Sequence, residues 1–249
     1  MTTRSAPLET IRHEDRTSMT YWLPKIEAAG LPVPKTILVE LQEAAMREVW
    51  RVFDGKPMGE AAQPFFEQIK AAADSLGYPC FLRTSHTSGK HDWDNTCFLR
   101  DPGRIPRQVV KIIEYGECSS FFGPPHDWWA VREYLPVIPL AVCHGFSNMP
   151  VCREFRVFVN DATVQCWHPY WPLKALEQGG AIAPDVAYVQ LIECKDEAGL
   201  LELAAKAGEA CGGYWSVDIM DTERGWCVTD MAEGAKSFHW ESCKHAPRE

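Results

Sequence analysis

Two aspartates near the C-terminus, Asp218 and Asp230, carry the clearest chemistry in this sequence. They lie in YWSVDIM and WCVTDM, two alternating runs around DTERG, which predict a β-hairpin with Gly225 in its turn. With Met220 paired to Trp226, Asp218 falls opposite Val228 and Asp230 opposite Ser216. The two carboxylates are then diagonal neighbours on one face, with Cα atoms ~7–8 Å apart. The other face, Trp215, Val217, Ile219, Cys227 and Met231, is a core face. Carboxylates this close repel, and neither strand carries Lys or Arg. A cation between them resolves the repulsion, and Mg²⁺ is commonly held by one or two carboxylates plus phosphate oxygens. Glu233, just past the strand, is a third candidate ligand. The competing reading is two solvated acids, which the low strand propensity of Asp weakens.

A second hairpin precedes it: VCREFRVFV, then ND, then ATVQCWHPY. Asn-Asp suits a two-residue turn with positive φ. Pairing Val159 with Ala162 puts Phe155, Val157, Val159, Val164 and Cys166 on the core face. Glu154 and Arg156 share the opposite face with Gln165 and Trp167. His168 falls on the core side in this register and is no catalyst unless a bulge intervenes. The plain reading of Glu154 and Arg156 is a surface ion pair, worth ~0–1 kcal/mol. A third cluster is FLRTSHTSGK. Arg83 emerges opposite Leu82, and the loop after it offers Ser85, Thr87, Ser88, Gly89 and Lys90. Hydroxyls, backbone N–H groups and a cation suit a polyphosphate. The GxxxxGK[ST] loop is absent, and an ordinary polar loop is the commoner reading of such a stretch.

These residues need elements to hold them. Helical periodicity predicts helices over 19–29, 41–53, 60–76, 104–115 and 196–211. Strands are expected at 36–39, 78–85, 95–101 and 128–137, besides the two hairpins at 151–168 and 214–231. Residues 171–195 give no clear signal. Hairpins with helices between them argue for an α+β fold with antiparallel sheets, not a doubly wound parallel one.

The chain has 249 residues, 46% hydrophobic and 24% charged, which is globular composition and long enough for one large domain or two small ones. No apolar run reaches the ~18 residues that cross a bilayer. The N-terminus has no apolar h-region, so a cytoplasmic protein without a membrane partner is expected. With 34 acidic and 25 basic residues the formal charge is −9, which disfavours a nucleic-acid partner. None of the ten cysteines forms a CxxC. Reduced core thiols are the expected state. A zinc site from Cys143, His144, Cys152, Cys166 and His168 lacks the paired spacing such sites usually show.

The order of these pieces resembles the ATP-grasp superfamily. AAGLPVPKT is similar to the segment leading into that fold, and LGYPCFLR to its first phosphate-facing strand, with Arg83 where the family usually has Lys. TSGK resembles the flexible loop over the phosphates. AVREYLPV resembles the hinge whose backbone clamps adenine. CREFRVFV is similar to a strand bearing a γ-phosphate-binding Arg, and VDI with WCVTDMAEG to the metal-binding hairpin. The set spans residues 28–234. Two branches are most similar: the ribosomal-protein and peptide-modifying ligases, and the cell-division-cycle ATP-grasp proteins that help assemble a translation initiation factor. The chain departs from the pattern at Arg83, at Ala232 where a metal-binding Asn is expected, and in keeping only about thirty residues where the family has a first domain.

The resemblance implies a division into a short tail and helix (1–34), a lid-like subdomain (35–132), a hinge (133–135) and a metal-binding subdomain (136–249). ATP with Mg²⁺ is expected between the two subdomains. Glu133, Tyr134 and Leu135 would read adenine. Arg83, Ser88, Gly89 and Lys90 would bind phosphate, and Arg83, Lys90 and Arg156 would neutralise charge in transfer. Asp218, Asp230 and Glu233 would hold metal. The implied reaction is carboxylate–amine or carboxylate–thiol ligation through an acyl phosphate, on a small-molecule or peptide carboxylate. The alternative is an ATP-binding assembly protein that ligates nothing. The sequence leaves the acceptor, the nucleophile and the oligomeric state open.

Overall fold

The computed structural model describes residues 15–119, 125–240 and 243. In chain order the elements are α1 (Met19–Ala28), β1 (Thr36–Glu40), α2 (Glu43–Trp50), α3 (Gln63–Leu76), β2 (Cys80–Thr84), β3 (Phe98–Leu99), α4 (Ile105–Ser119) and β4 (Trp128–Glu133). There follow β5 (Ala141–Cys143), β6 (Met149–Val151), β7 (Glu154–Asn160), β8 (Thr163–Pro169), α5 (Leu173–Gln178), α6 (Pro184–Leu191), α7 (Glu197–Cys211), β9 (Tyr214–Thr222) and β10 (Gly225–Glu233). The α+β class is as the sequence predicts. The silent stretch 171–195 holds α5 and α6, and the proline-bounded segment after β4 holds the small β5–β6 hairpin. No helix among the described residues is long and apolar enough to cross a membrane.

The chain forms two compact units. The N-sheet unit comprises residues 34–151 and 173–187 without the undescribed ones. Its antiparallel sheet runs β1-β4-β2-β3. The helical stripes Phe65, Phe66, Ile69 and Ala73 of α3, and Val109, Ile112 and Ile113 of α4, pack with Leu82, Trp129 and Val131 of the sheet. The expected hinge at 133–135 is not where this unit ends. Residues 136–151 stay with it because β5 bridges Ala181, Gly145 N–H donates to the Gly179 carbonyl at 2.8 Å, and Ser147 Oγ donates to Asp92 Oδ1 at 2.6 Å.

The C-sheet unit comprises residues 15–33, 152–172, 188–240 and 243. Its antiparallel sheet runs β10-β9-β7-β8. The alternation of β7 and β9 sends Phe155, Val157 and Val159, with Trp215, Val217 and Ile219, to one face, all fully buried. Helix α7 meets both strands there through Leu200, Ala204, Ala207 and Gly208. Gly208 has a packing reason: a Cβ there would stand 2.1 Å from the Asp161 carbonyl and 2.6 Å from Val159 Cγ2. Helix α1, capped by Ser18, adds Trp22, Leu23 and Ile26. The opposite face carries the functional candidates.

Candidate functional site

The face of the C-sheet opposite α7 holds one line of polar residues across four strands. Asp230 on β10 lies directly opposite Asp218 on β9, Asp218 opposite Arg156 on β7, and Arg156 opposite His168 on β8. This corrects both expected registers. The β9–β10 turn is Glu223-Arg224, with Thr222 paired to Gly225, and a bulge at Thr229 then shifts the ladder by one. The aspartates are therefore adjacent, not diagonal, and Val228 rather than Cys227 faces the core alongside Ile219. The β7–β8 turn is Asp161-Ala162, with Asp161 at φ 50°, and a bulge falls at Gln165. His168 thereby joins the Arg156 face, and Trp167 leaves it for the core side, against Phe155 with ring centroids 5.5 Å apart.

Arg156 is not in the surface ion pair with Glu154 that its spacing suggests. Its guanidinium grips Asp218 in a fork, Nε to Oδ1 at 2.7 Å and Nη2 to Oδ2 at 2.8 Å. The side chains are 14% and 8% exposed, so this is a buried pair. Nη1 donates to the Phe238 carbonyl at 3.3 Å, and the guanidinium lies 4.8 Å from the Tyr170 ring centroid. Burial pulls the Arg156 pKa down, but the charge and hydrogen bonds of Asp218 outweigh it and hold it above the ordinary arginine value. Glu154 is buried on the same face, opposite Met220, and Thr229 Oγ1 lies 3.1 Å from both Glu154 Oε1 and the Asp218 carbonyl. His168 is buried; its Nδ1 is 2.9 Å from the Pro169 carbonyl, so that nitrogen carries the proton. Burial first, opposed by that hydrogen bond and reinforced by Arg156, pushes its pKa down to about 4.

The row sets three carboxylates, Glu154, Asp218 and Asp230, against one guanidinium. A fork occupies one lone pair of each Asp218 oxygen and leaves the second able to coordinate. The donors are hard oxygens, which is what Mg²⁺ requires. Such oxygens are the donor type a divalent cation takes, and Arg156 supplies part of the neutralising charge against them. Glu233 is not brought into this set. Alternation along β10 sends it to the face of Met231, paired with Trp215, and it forms an ion pair with Lys236. Glu154 is the third acid beside Asp218. The acid-x-Arg spelling of β7 was the signal for it, masked by the bulge that separates Thr229 from the regular ladder.

The remaining candidates belong to the N-sheet unit. Arg83 shares a face of β2 with Phe81, away from Leu82, as predicted; it is buried, and its Nε donates to the Thr84 carbonyl at 3.0 Å. The loop after it closes on itself: Thr84 N–H donates to the Thr87 carbonyl and Thr87 N–H to Thr84 Oγ1. Ser88 is half-buried. Gly89 takes φ 62°, and its carbonyl accepts the Thr96 hydroxyl at 2.8 Å. Lys90, half-exposed, opens a short 3₁₀ turn. Of the Glu133 backbone, for which an adenine-reading role is implied, the N–H is engaged within the sheet. Its N–H donates to the Lys35 carbonyl at 2.9 Å, and its Oε1 accepts Lys35 N–H at 2.8 Å, so that donor is committed to the β1–β4 edge. Tyr134 packs on Phe98, with centroids 5.3 Å apart, and Leu135 is half-buried beyond the strand.

No protein-family model and no curated protein matches this chain. Solved structures do. C-terminally truncated Cdc123 from Schizosaccharomyces pombe superposes with a TM-score of 0.51 at 12% identity, over 88% of this chain and 83% of that one. A RimK domain ATP-grasp protein from Sphaerobacter thermophilus DSM 20745 gives 0.48 at 16% identity, over 87% and 59%. N5-carboxyaminoimidazole ribonucleotide synthetase from Thermotoga maritima gives 0.45 at 13%, over 90% and 43%. The chain thus spans about half the length of the last two. At such identities the likeness carries fold and not activity, and the fold is plain: two antiparallel sheets with their helices, in the order and pairing found here, make this an α+β chain of the ATP-grasp fold.

Proposed function

We propose that the chain binds ATP with Mg²⁺ and spends the nucleotide on activating a carboxylate for ligation. The observation that supports this most is the Asp230–Asp218–Arg156 line, with Glu154 beside it. It places hard-oxygen donors next to a fixed, always-charged fork on one rigid sheet face. A carboxylate oxygen of the substrate would attack the γ-phosphorus, the bond to the β-phosphate bridging oxygen would break, and ADP would leave. An amine or thiol would then attack the acyl carbon, inorganic phosphate would depart, and the nucleophile would lose its proton. The bound cation would supply neutralisation of the phosphate oxygens. Arg156 would meet charge that develops during transfer, a contribution worth about 3–4 kcal/mol for a preorganised donor. Phosphate contacts for Arg83, Ser88, Gly89 and Lys90, and base contacts for Tyr134 and Leu135, belong to the same reading.

A second reading is an ATP-binding assembly protein that ligates nothing. It is favoured by one feature: Asp218 takes up the Arg156 fork, while Glu233 stands on the other face and Ala232 offers no ligand. The two readings separate in one experiment. Calorimetry with Mg·ATP tests binding, which both require. A screen of carboxylates crossed with amines and thiols, followed by ADP release, tests turnover. Acid-dependent ADP supports the ligase; binding without it supports the assembly protein; absence of binding at millimolar Mg·ATP sinks both.

A further inference from the structure

The C-terminal segment after β10 crosses the same face of the C-sheet and brings a different chemistry. His239 stacks on Phe158, with centroids 4.0 Å apart, and Trp240 stacks on His168 at 5.1 Å. This lays the segment over β7 and β8. One residue along β8 from Trp167 is Cys166, whose Sγ lies 3.1 Å from His239 Nε2. Cys243 completes a triangle: the ligand atoms of Cys166, His239 and Cys243 all lie within 4.8 Å of one another. A tetrahedral zinc with S and N ligands at about 2.3 and 2.0–2.1 Å holds them roughly 3.5–3.8 Å apart. The cluster therefore needs adjustments of about an ångström, within reach of side-chain rotation.

His168, outside that triangle, is the candidate for a fourth ligand. His168 follows Cys166 by two residues on β8, so both project from the same face. It is 6% exposed, and its Nε2 is buried without a hydrogen-bond partner. Since Nδ1 donates to Pro169, that nitrogen presents a lone pair, and a second-atom hydrogen bond to a backbone carbonyl is the usual way a ligating histidine is oriented. Its ring centroid is 5.5 Å from that of His239. The sequence spelling is Cys-x-His on the strand and His-x₃-Cys on the tail, and the second has the spacing common in zinc sites. Of the Cys/His set weighed from the sequence, Cys143 and His144 belong to the N-sheet unit, and Cys166 and His168 to the C-sheet unit.

We propose that Cys166, His239 and Cys243 bind a zinc-class transition metal, with His168 as the fourth ligand, and that this metal clasps the C-terminal segment to the sheet. Three soft or borderline ligands, two of them thiols, select zinc over the hard Mg²⁺ suited to the neighbouring carboxylates. The clasp also fixes Phe238, whose carbonyl receives Arg156 Nη1. It shares no ligand with the carboxylates of the nucleotide reading, and touches that reading only through the Phe238 carbonyl and the Arg156–His168 pairing.

The test uses the full chain, purified without chelator and dialysed exhaustively, with metal content measured by mass spectrometry. About one zinc per chain is expected. Cobalt replacement should give a thiolate-to-metal charge-transfer band with the intense visible absorption of a tetrahedral site. Cys166→Ser and Cys243→Ser should each lose the metal and the band, and His168→Asn should alter the cobalt spectrum. Cys194→Ser, outside the cluster, should retain both. Because Cys166→Ser could unsettle the sheet, Cys243→Ser, on the tail, is the decisive variant and is accompanied by a melt. A metal-free wild-type chain that takes up no cobalt overturns the proposal. So does full zinc retention in Cys243→Ser, or equal loss in Cys194→Ser, or a Cys166–Cys243 disulfide under reducing purification.

Discussion

Asp218→Asn is the perturbation on which the site geometry bears most directly. Read from its own hairpin, the substitution relieves repulsion with Asp230, so stability should hold level or rise. The position of Arg156 reverses that sign. Asp218 is 8% exposed and takes both arms of the guanidinium, at 2.7 and 2.8 Å. Losing its charge leaves Arg156 buried with a neutral acceptor. Breaking a buried pair on one side costs about 3–5 kcal/mol. Asparagine keeps one acceptor oxygen, and the Phe238 carbonyl and Tyr170 ring remain, so the low end, about 3 kcal/mol, is expected. At roughly 2–4 °C per kcal/mol for a chain of this size, the melting temperature should fall by about 6–12 °C. Asp230→Asn is the internal comparison. It removes the charge facing Asp218 without touching the fork, so melting should stay level or rise. The assay is thermal unfolding by circular dichroism in EDTA, without nucleotide. If Asp218→Asn melts with the wild type, the fork is not a buried structural pair. If Asp230→Asn falls as far, the aspartates are not paired as the bulge at Thr229 requires.

Arg156→Lys keeps the charge but loses the planar fork, so under the proposed function ATP turnover should fall by ~10²–10³ at saturating substrate. The melt should fall too, by about 1.5–3 kcal/mol for the lost charge-assisted bonds; unchanged turnover with a lowered melt would confine Arg156 to a structural role. Gly208→Ala should cost about 1–3 kcal/mol by forcing α7 away from Asp161 and Val159, measured by urea denaturation; a wild-type midpoint would refute that close approach. Burial pushes Cys97 and Cys152 up to about 12, and Cys80 and Cys211 to about 11, so these groups stay protonated thiols at pH 8. Native-state alkylation at pH 8, read by peptide mapping, should therefore mark the exposed Cys118 well before any of the four, and equal rates would contradict their burial.

Much of the fold is legible in the sequence because its signals are local. The stripes of α3, α4 and α7 end at glycines or start at caps, and the two C-sheet hairpins alternate clearly. The 171–195 stretch was silent because α5 and α6 are short, and α6 leaves Val186 and Val189 exposed, which blurs the helical period. The candidate residues are legible in the sequence by type, but their partners are not. Glu154 and Arg156 look like neighbours in an ion pair because they are two apart. Arg156 in fact looks across to β9, and strand order is a long-range fact that spacing along one strand does not hold. Glu233 looks like a third ligand by proximity, and alternation sends it to the other face.

The two bulges set both registers and the polar line they carry. From the Thr222–Gly225 turn, an uninterrupted ladder would set Asp218 opposite Thr229 and Asp230 opposite Val217, on the core face. From the Asn160–Thr163 turn, it would set Trp167 opposite Arg156 and His168 opposite Phe155, again on the core face. One extra residue in each outer strand, Thr229 in β10 and Gln165 in β8, turns the rest of that strand over. Asp230 and His168 move out, and Met231 and Trp167 move in to bury their apolar surface. Each bulge thus removes a charged or polar group from the core and satisfies the hydrophobic face in the same step. The extra residue is itself used: Thr229 sets its hydroxyl 3.1 Å from Glu154 and from the Asp218 carbonyl. The straight line of Asp230, Asp218, Arg156 and His168 is therefore a product of two irregularities, placed symmetrically on the strands flanking β7 and β9, and not of the regular sheet.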